Sequence, residues 1–147
     1  MLLHSGTGHP ATPDLIKGLK EPNRLARLRA AATLCRQART DQGVVAALLT
    51  ALKQGDEQAR KTAALVLGEI GPHARAAVPA LIETLADDCE AVKRRAVMTL
   101  GELGADACAA IPALLALTCS ANENLQTLAA LALQKIGAPP GQVREAA

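Results

Sequence analysis

Glu69 and Glu102 stand 33 residues apart in matching surroundings, Leu67-Gly68-Glu69-Ile70-Gly71 and Leu100-Gly101-Glu102-Leu103-Gly104. Two carboxylates brought together can act as general acid and general base. Their recurrence at one repeated position instead marks a solvent-facing place in a periodic structure. Cys35, Cys89, Cys108 and Cys119 could in principle ligate a metal, but no pair has Cys-x-x-Cys spacing and no His lies close to any of them. They are expected to be reduced, small packing or surface residues, with Cys35 at the position of Gly68 and Gly101. His4, His9 and His73 are too few and too scattered for a metal or proton-transfer cluster. Arg24, Arg27 and Arg29 could hold a phosphate. The expected protein has no catalytic group, no metal and no cofactor.

Composition narrows the alternatives. Phe, Tyr and Trp are all absent from the 147 residues, and half of the residues are hydrophobic. Ala and Leu make up more than a third of the chain. Small aliphatic side chains suit closely packed helices rather than a sandwich of strands. Without a ring there is no base-stacking platform, no aromatic cage and no aromatic hot spot. Residues 1–40 carry seven Lys/Arg against two Asp/Glu, and residues 41–147 carry nine against twelve. This is a local basic end on a near-neutral chain, short of a nucleic-acid footprint. Met1-Leu2-Leu3 runs directly into His4-Ser5-Gly6, so neither a signal peptide nor a membrane span is expected, and the expected compartment is the cytoplasm.

The elements that position these residues repeat every 33 residues. Leu67-Gly68-Glu69-Ile70-Gly71 returns at 100–104 and, altered, as Leu133-Gln134-Lys135-Ile136-Gly137. Val78-Pro79-Ala80-Leu81-Ile82 matches Ile111-Pro112-Ala113-Leu114-Leu115 and, further back, Val45-Ala46-Ala47-Leu48-Leu49. Four units follow: 12–44, 45–77, 78–110 and 111–143, with a leader at 1–11 and a tail at 144–147. Each predicts a short helix, as from Pro79 to Leu85, and a longer one. Pro is accepted in a helix's first turn because the missing N–H has no partner there. The longer helices are predicted to start after Asn23, Asp56, Cys89 and Asn122, three of which are good N-caps. Glu57, Glu90 and Glu123 follow, where the helix dipole favours an acid. Gly71, Gly104 and Gly137 fall where left-handed C-caps are expected. Sustained strand alternation is missing. One helix pair cannot bury its apolar face alone, whereas stacked pairs can.

The units resemble HEAT repeats, of the short bacterial type first noted in phycobilisome lyase-like proteins. The resemblance lies in Val78-Pro79-Ala80-Leu81-Ile82, Asp56-Glu57, Arg60-Lys61 and Leu67-Gly68-Glu69-Ile70-Gly71, and covers roughly residues 12–137. Repeat 4 departs most, with Gln126-Thr127 for the basic pair and Gln134 for glycine. The resemblance implies an all-α, right-handed α-solenoid of about four helix-turn-helix repeats. It implies that Arg27, Arg60 and Lys93 bond neighbouring repeats in a ladder with residues such as Asp56. Deoxyhypusine hydroxylase shares this resemblance but relies on His-Glu dipeptides, which are absent here. HEAT-like DNA glycosylases place aromatic side chains around the damaged base, and this chain has none.

On a helical wheel, Ala63 marks the core and Lys61 and Leu65 lie opposite. The resemblance places that opposite side on a concave face. Its equivalents are Leu28 and Ala32, Arg94 and Met98, Thr127 and Leu131. An apolar stripe of Ala32, Leu65, Met98 and Leu131 is thus expected, rimmed by Leu28, Lys61 and Arg94 and by Glu69 and Glu102. Such a row suits a protein partner, either a peptide or a helix. The alternative is that these residues pack between adjacent helices. Repeat 4 is apolar nearly all round, so Leu125 and Leu128 are expected as a second contact, for this chain's tail or another copy. The expected function is a scaffold or adaptor module. A bilin lyase-like or chaperone subunit acting on a client protein is the alternative, and nucleic-acid binding through the basic first repeat the third.

Overall fold

The protein is described by a computed structural model covering residues 12–137. Eight α-helices run through the described residues: α1 (Thr12–Gly18), α2 (Arg24–Gln37), α3 (Gln42–Gln54), α4 (Glu57–Ile70), α5 (Val78–Thr84), α6 (Glu90–Leu103), α7 (Ile111–Leu117) and α8 (Glu123–Ile136). They form an all-α solenoid of four stacked helix pairs, and no strand occurs among the described residues. The leader 1–11 and the tail lie outside the described residues, as do His4, His9 and Pro139-Pro140-Gly141.

The longer helices begin where the capping pattern requires. Asn23 accepts from Leu25 N–H at 2.9 Å, Asp56 from Ala59 N–H at 2.8 Å, and Asn122 from Asn124 and Leu125 N–H. Cys89 makes no side-chain cap. Asp87, two residues upstream, instead accepts the Cys89 N–H at 2.8 Å. The shorter helices are not uniform. α5 and α7 start at Val78 and Ile111, each with Pro in the first turn. α3 starts earlier, at Gln42, because Asp41 caps it through Gly43 N–H, and it runs for 13 residues.

Gly71 and Gly104 have φ of 69° and 62°, but their ψ values are near −135°, not the left-handed helical value expected from the sequence. The chain leaves them directly into 3-10 helices, Gly71–Ala77 and Gly104–Ala110. Gly137 alone takes the left-handed cap, with φ 98° and ψ 21°.

Two leucine ladders hold the stack. Leu34, Leu67, Leu100 and Leu133 are fully buried on the longer helices, and Leu15, Leu48, Leu81 and Leu114 are buried on the shorter ones. Each sits 33 residues from the next, so every repeat delivers the same side chains to one continuous core. The longer helices pack most extensively on one another, α4 against α6 and α6 against α8. Small residues permit this. A Cβ added at Gly101 would lie 3.1 Å from Ala132 Cα. Thr99 Oγ1 donates to the Ala64 carbonyl at 2.7 Å across the adjoining α4–α6 seam. The stretch Glu90–Leu117 is long and apolar enough to cross a bilayer. It is nonetheless three helices, interrupted at Gly104, and packed within the stack.

The ladder assigns unequal weights to neighbours in sequence. Leu100→Ala removes wholly buried atoms and is expected to cost about 2–5 kcal/mol. Glu102→Ala, at an exposed position, is expected to cost well under about 1 kcal/mol. Urea denaturation compares the two, and equal midpoints would contradict the helix phase.

Candidate functional site: a cationic groove across the longer helices

Each longer helix presents one residue line away from the core, and the four lines form a groove of about 590 Å³. Leu28 of α2, Leu65 of α4, Met98 of α6 and Leu128 of α8 supply its apolar surface. Leu28 and Met98 are 45% and 38% exposed, which is unusual for large aliphatic residues beside an available core. Five cations line the same groove: Arg24, Arg27, Lys61, Arg94 and Arg95. No carboxylate contributes to its lining.

The cations differ in how they are held. Arg27 Nη1 donates to the carbonyls of Glu21 and Pro22, at 2.7 and 2.9 Å, and so ties down the loop before α2. Lys61 has Glu57 at 4.0 Å, one helical turn away and largely exposed, a contact of little energy. Arg24, Arg94 and Arg95 have no ion-pair partner among the described residues.

The structure brings together Leu28, Lys61, Leu65, Arg94, Met98 and Leu128 from the residues singled out by sequence. Ala32, Glu69, Glu102 and Leu131 are exposed but do not line the groove, and Leu131 is 48% exposed beyond its α8 end. Glu69 and Glu102 lie in the last turns of α4 and α6, away from the cations. The Glu102 carboxylate rests over Gly68, occupying the space a side chain there would take. Leu125 is a correction. It is 3% exposed and belongs to the core, so it offers no surface to a second contact. It occupies the repeat position of Ala59 and Val92, both fully buried, and that alignment carries the signal. Arg24 and Arg95 were not singled out as groove residues. The signal for Arg95 is its neighbour Arg94, a hundred degrees round the same helix.

The ladder partner is also corrected. Asp56 spends its carboxylate on capping α4. Arg60 instead reaches the next repeat: Nη2 donates to Asp87 Oδ1 at 3.1 Å, and Nε lies 2.8 Å from Oδ2 as an ion-pair contact. Arg60 Nη1 also donates to the Gly55 carbonyl. Gln126 makes the corresponding bond to the Ser120 carbonyl, so the uncharged residue of repeat 4 keeps the function of the arginine. Arg27, Arg60 and Gln126 share this loop tethering, and of them only Arg27 also lines the groove.

The four cysteines are unbridged, and the described residues contain no cluster of His, Cys, Asp and Glu able to hold a metal. Cys35 Sγ faces the Val66 carbonyl at 4.0 Å across the α2–α4 seam. Burial, reinforced by the charge of Glu69 and partly offset by Arg39, pushes its thiol pKa up. A second hollow of about 640 Å³ lies between α1 and α3, bordered by small residues with Lys17 and Lys20 at one side. It brings together no catalytic group.

The fold defines an α-solenoid repeat protein with a groove across its longer helices. The chain belongs to the HEAT-repeat family, whose model matches residues 12–90 and 78–145. Such HEAT and armadillo folds are typical of protein-interaction scaffolds. A comparison with curated protein sequences gives no match. Among solved structures, the chain is similar to the complex of CpcE and CpcF of phycocyanin lyase from Nostoc sp., with 24% identity, TM-score 0.60, and 99% of this chain against 65% of that one covered. It is equally similar to a designed armadillo repeat protein in complex with the peptide (KR)4, with 18% identity, TM-score 0.62, and coverage of 93% and 70%. An engineered protein matches with 21% identity, TM-score 0.61, and coverage of 92% and 67%. The chain spans about two thirds of each neighbour's length, and these likenesses establish the fold.

The thiols test the burial pattern. At neutral pH a maleimide is expected to label exposed Cys108 and Cys119 first and Cys35 last. Because the Cys35 thiolate is disfavoured, its labelling should accelerate only at a pH above that needed for an ordinary thiol. Mass spectrometry of labelled peptides reads the order, and early labelling of Cys35 would show that the α2–α4 seam is open.

Proposed function

We propose that this chain is a non-catalytic protein-interaction module, a scaffold or adaptor that holds a partner segment along its concave face. One observation carries the reading: Leu28 and Met98 stay exposed in a groove where Arg24, Arg94 and Arg95 have no ion-pair partner among the described residues, while the leucines of the ladders are buried. An exposed apolar floor with a polar rim is the anatomy of a protein-binding surface. A cytoplasmic setting belongs to the same reading and is in keeping with four cysteines carried as thiols. A second reading, a lyase-like or chaperone subunit acting on a client protein, is supported by the likeness to the phycocyanin lyase complex.

Capture from an extract of the source cell tests the reading, with the parent chain and a Leu65→Glu, Met98→Glu double variant compared side by side. The parent is expected to retain a protein at constant stoichiometry, and the variant to lose it with helicity and melting almost unchanged. Loss of several kcal/mol of stability would identify these residues as core. Equal capture by both would place the partner elsewhere. A captured chromoprotein supports the client-acting reading, and salt-sensitive nucleic acid the third.

A further inference from the structure

We infer that the groove's partner is an acidic segment with segregated chemistry: a run of carboxylates across α2, α4 and α6, then an aliphatic anchor at the α6–α8 end. The inference rests on the groove being a protein-binding surface and adds the chemistry of what it binds.

Charge is distributed unequally along the groove. Equivalent positions on the four longer helices read Leu28, Lys61, Arg94 and Thr127, and the next positions read Arg29, Thr62, Arg95 and Leu128. Every cation of the groove thus belongs to α2, α4 or α6, and α8 contributes only Leu128. Beside Leu128 stand Met98 and, just beyond the groove, Leu131, both exposed. One end is cationic and the other aliphatic.

The cations also stand where the fold does not want them. Like charges gathered in one concavity repel, and unpaired ones gain nothing from the protein itself. Arg24 is the sharpest case. It is the first residue of α2, where the positive end of the helix dipole disfavours a cation. The other three repeats place Glu57, Glu90 and Glu123 there. A carboxylate-rich partner relieves both penalties and is guided into the groove by the same field. The basic peptide in the designed armadillo complex has the sign this groove repels. A phosphate backbone would match the charge, but the floor offers it aliphatic groups and no ring on which a base can stack. Neighbouring longer helices lie about 10 Å apart, so four span about 30 Å. An extended chain covers that in about nine residues.

Fluorescence anisotropy on the full chain tests this with labelled 12-residue peptides. One has a block of Glu followed by a Leu-rich block, a second interleaves the same residues, a third replaces Glu by Gln, and a 12-nucleotide oligo-dT serves as the phosphate probe. The segregated peptide is expected to bind about tenfold more tightly than the Gln version, clearly more tightly than the interleaved one, and less tightly as salt rises. Arg24→Glu with Arg94→Glu is expected to weaken it at least about tenfold. Arg24→Glu alone is expected to melt no lower than the parent, since it restores the acid found in the other repeats, so lost binding is not lost folding. Equal binding of the Gln or interleaved peptide, tighter binding of oligo-dT, or no binding of the segregated peptide would overturn the inference. Each of these leaves the extract capture free to succeed, so the acidic-partner inference can fail while the interaction module stands.

Discussion

The structure depends on how closely the longer helices approach one another. Gly101 meets the backbone of Ala132 with no room for a larger side chain, and Thr99 bonds directly to the backbone of α4 across the adjoining seam. Close approach brings the four helices side by side, and with them the residue lines that face away from the leucine ladders. The groove is a product of that stacking. It needs no loop and no induced folding, and residues far apart in the chain meet because they share one position in the repeat.

This origin accounts for the division of labour among similar side chains. Arg27, Arg60 and Gln126 hold the loops that precede their helices, and Arg60 adds a contact to the following repeat through Asp87. Lys61 and Arg94, one position later, face the groove. A shift of one residue rotates a side chain a hundred degrees and moves it from scaffold to surface. Arg60 is bonded to a carbonyl and a carboxylate, Arg27 to two carbonyls at the groove's edge, while Arg24, Arg94 and Arg95 of the groove have no ion-pair partner among the described residues.

The 33-residue repeat, the four pairs, the N-caps and the leucine ladders are legible in the sequence because each depends on local chemistry repeated in register. Asn23, Asp56, Cys89 and Asn122 mark helix starts even where Cys89 contributes no cap, since the register carries the information. The 3-10 segments are not legible: Gly71-Pro72 and Gly104-Ala105 carry turn signals, and only packing against the next short helix shows that the chain keeps coiling. Leu125 is misread for a different reason. An apolar run gives no phase of its own, and the phase comes from alignment with Ala59 and Val92. Of the expected stripe, Leu65 and Met98 line the groove and Ala32 and Leu131 do not, and the groove's charge asymmetry depends on which arginines find partners, a property of the assembled structure.

Methyl-resolved NMR gives the most direct test that the partner sits on the longer-helix face. With Leu, Met, Ile and Ala methyls labelled, titration of the partner should shift Leu28, Leu65, Met98 and Leu128 while Leu15, Leu48, Leu81 and Leu114 of the inner ladder stay still. Shifts confined to methyls around the hollow between α1 and α3, with the groove methyls unmoved, would contradict the account.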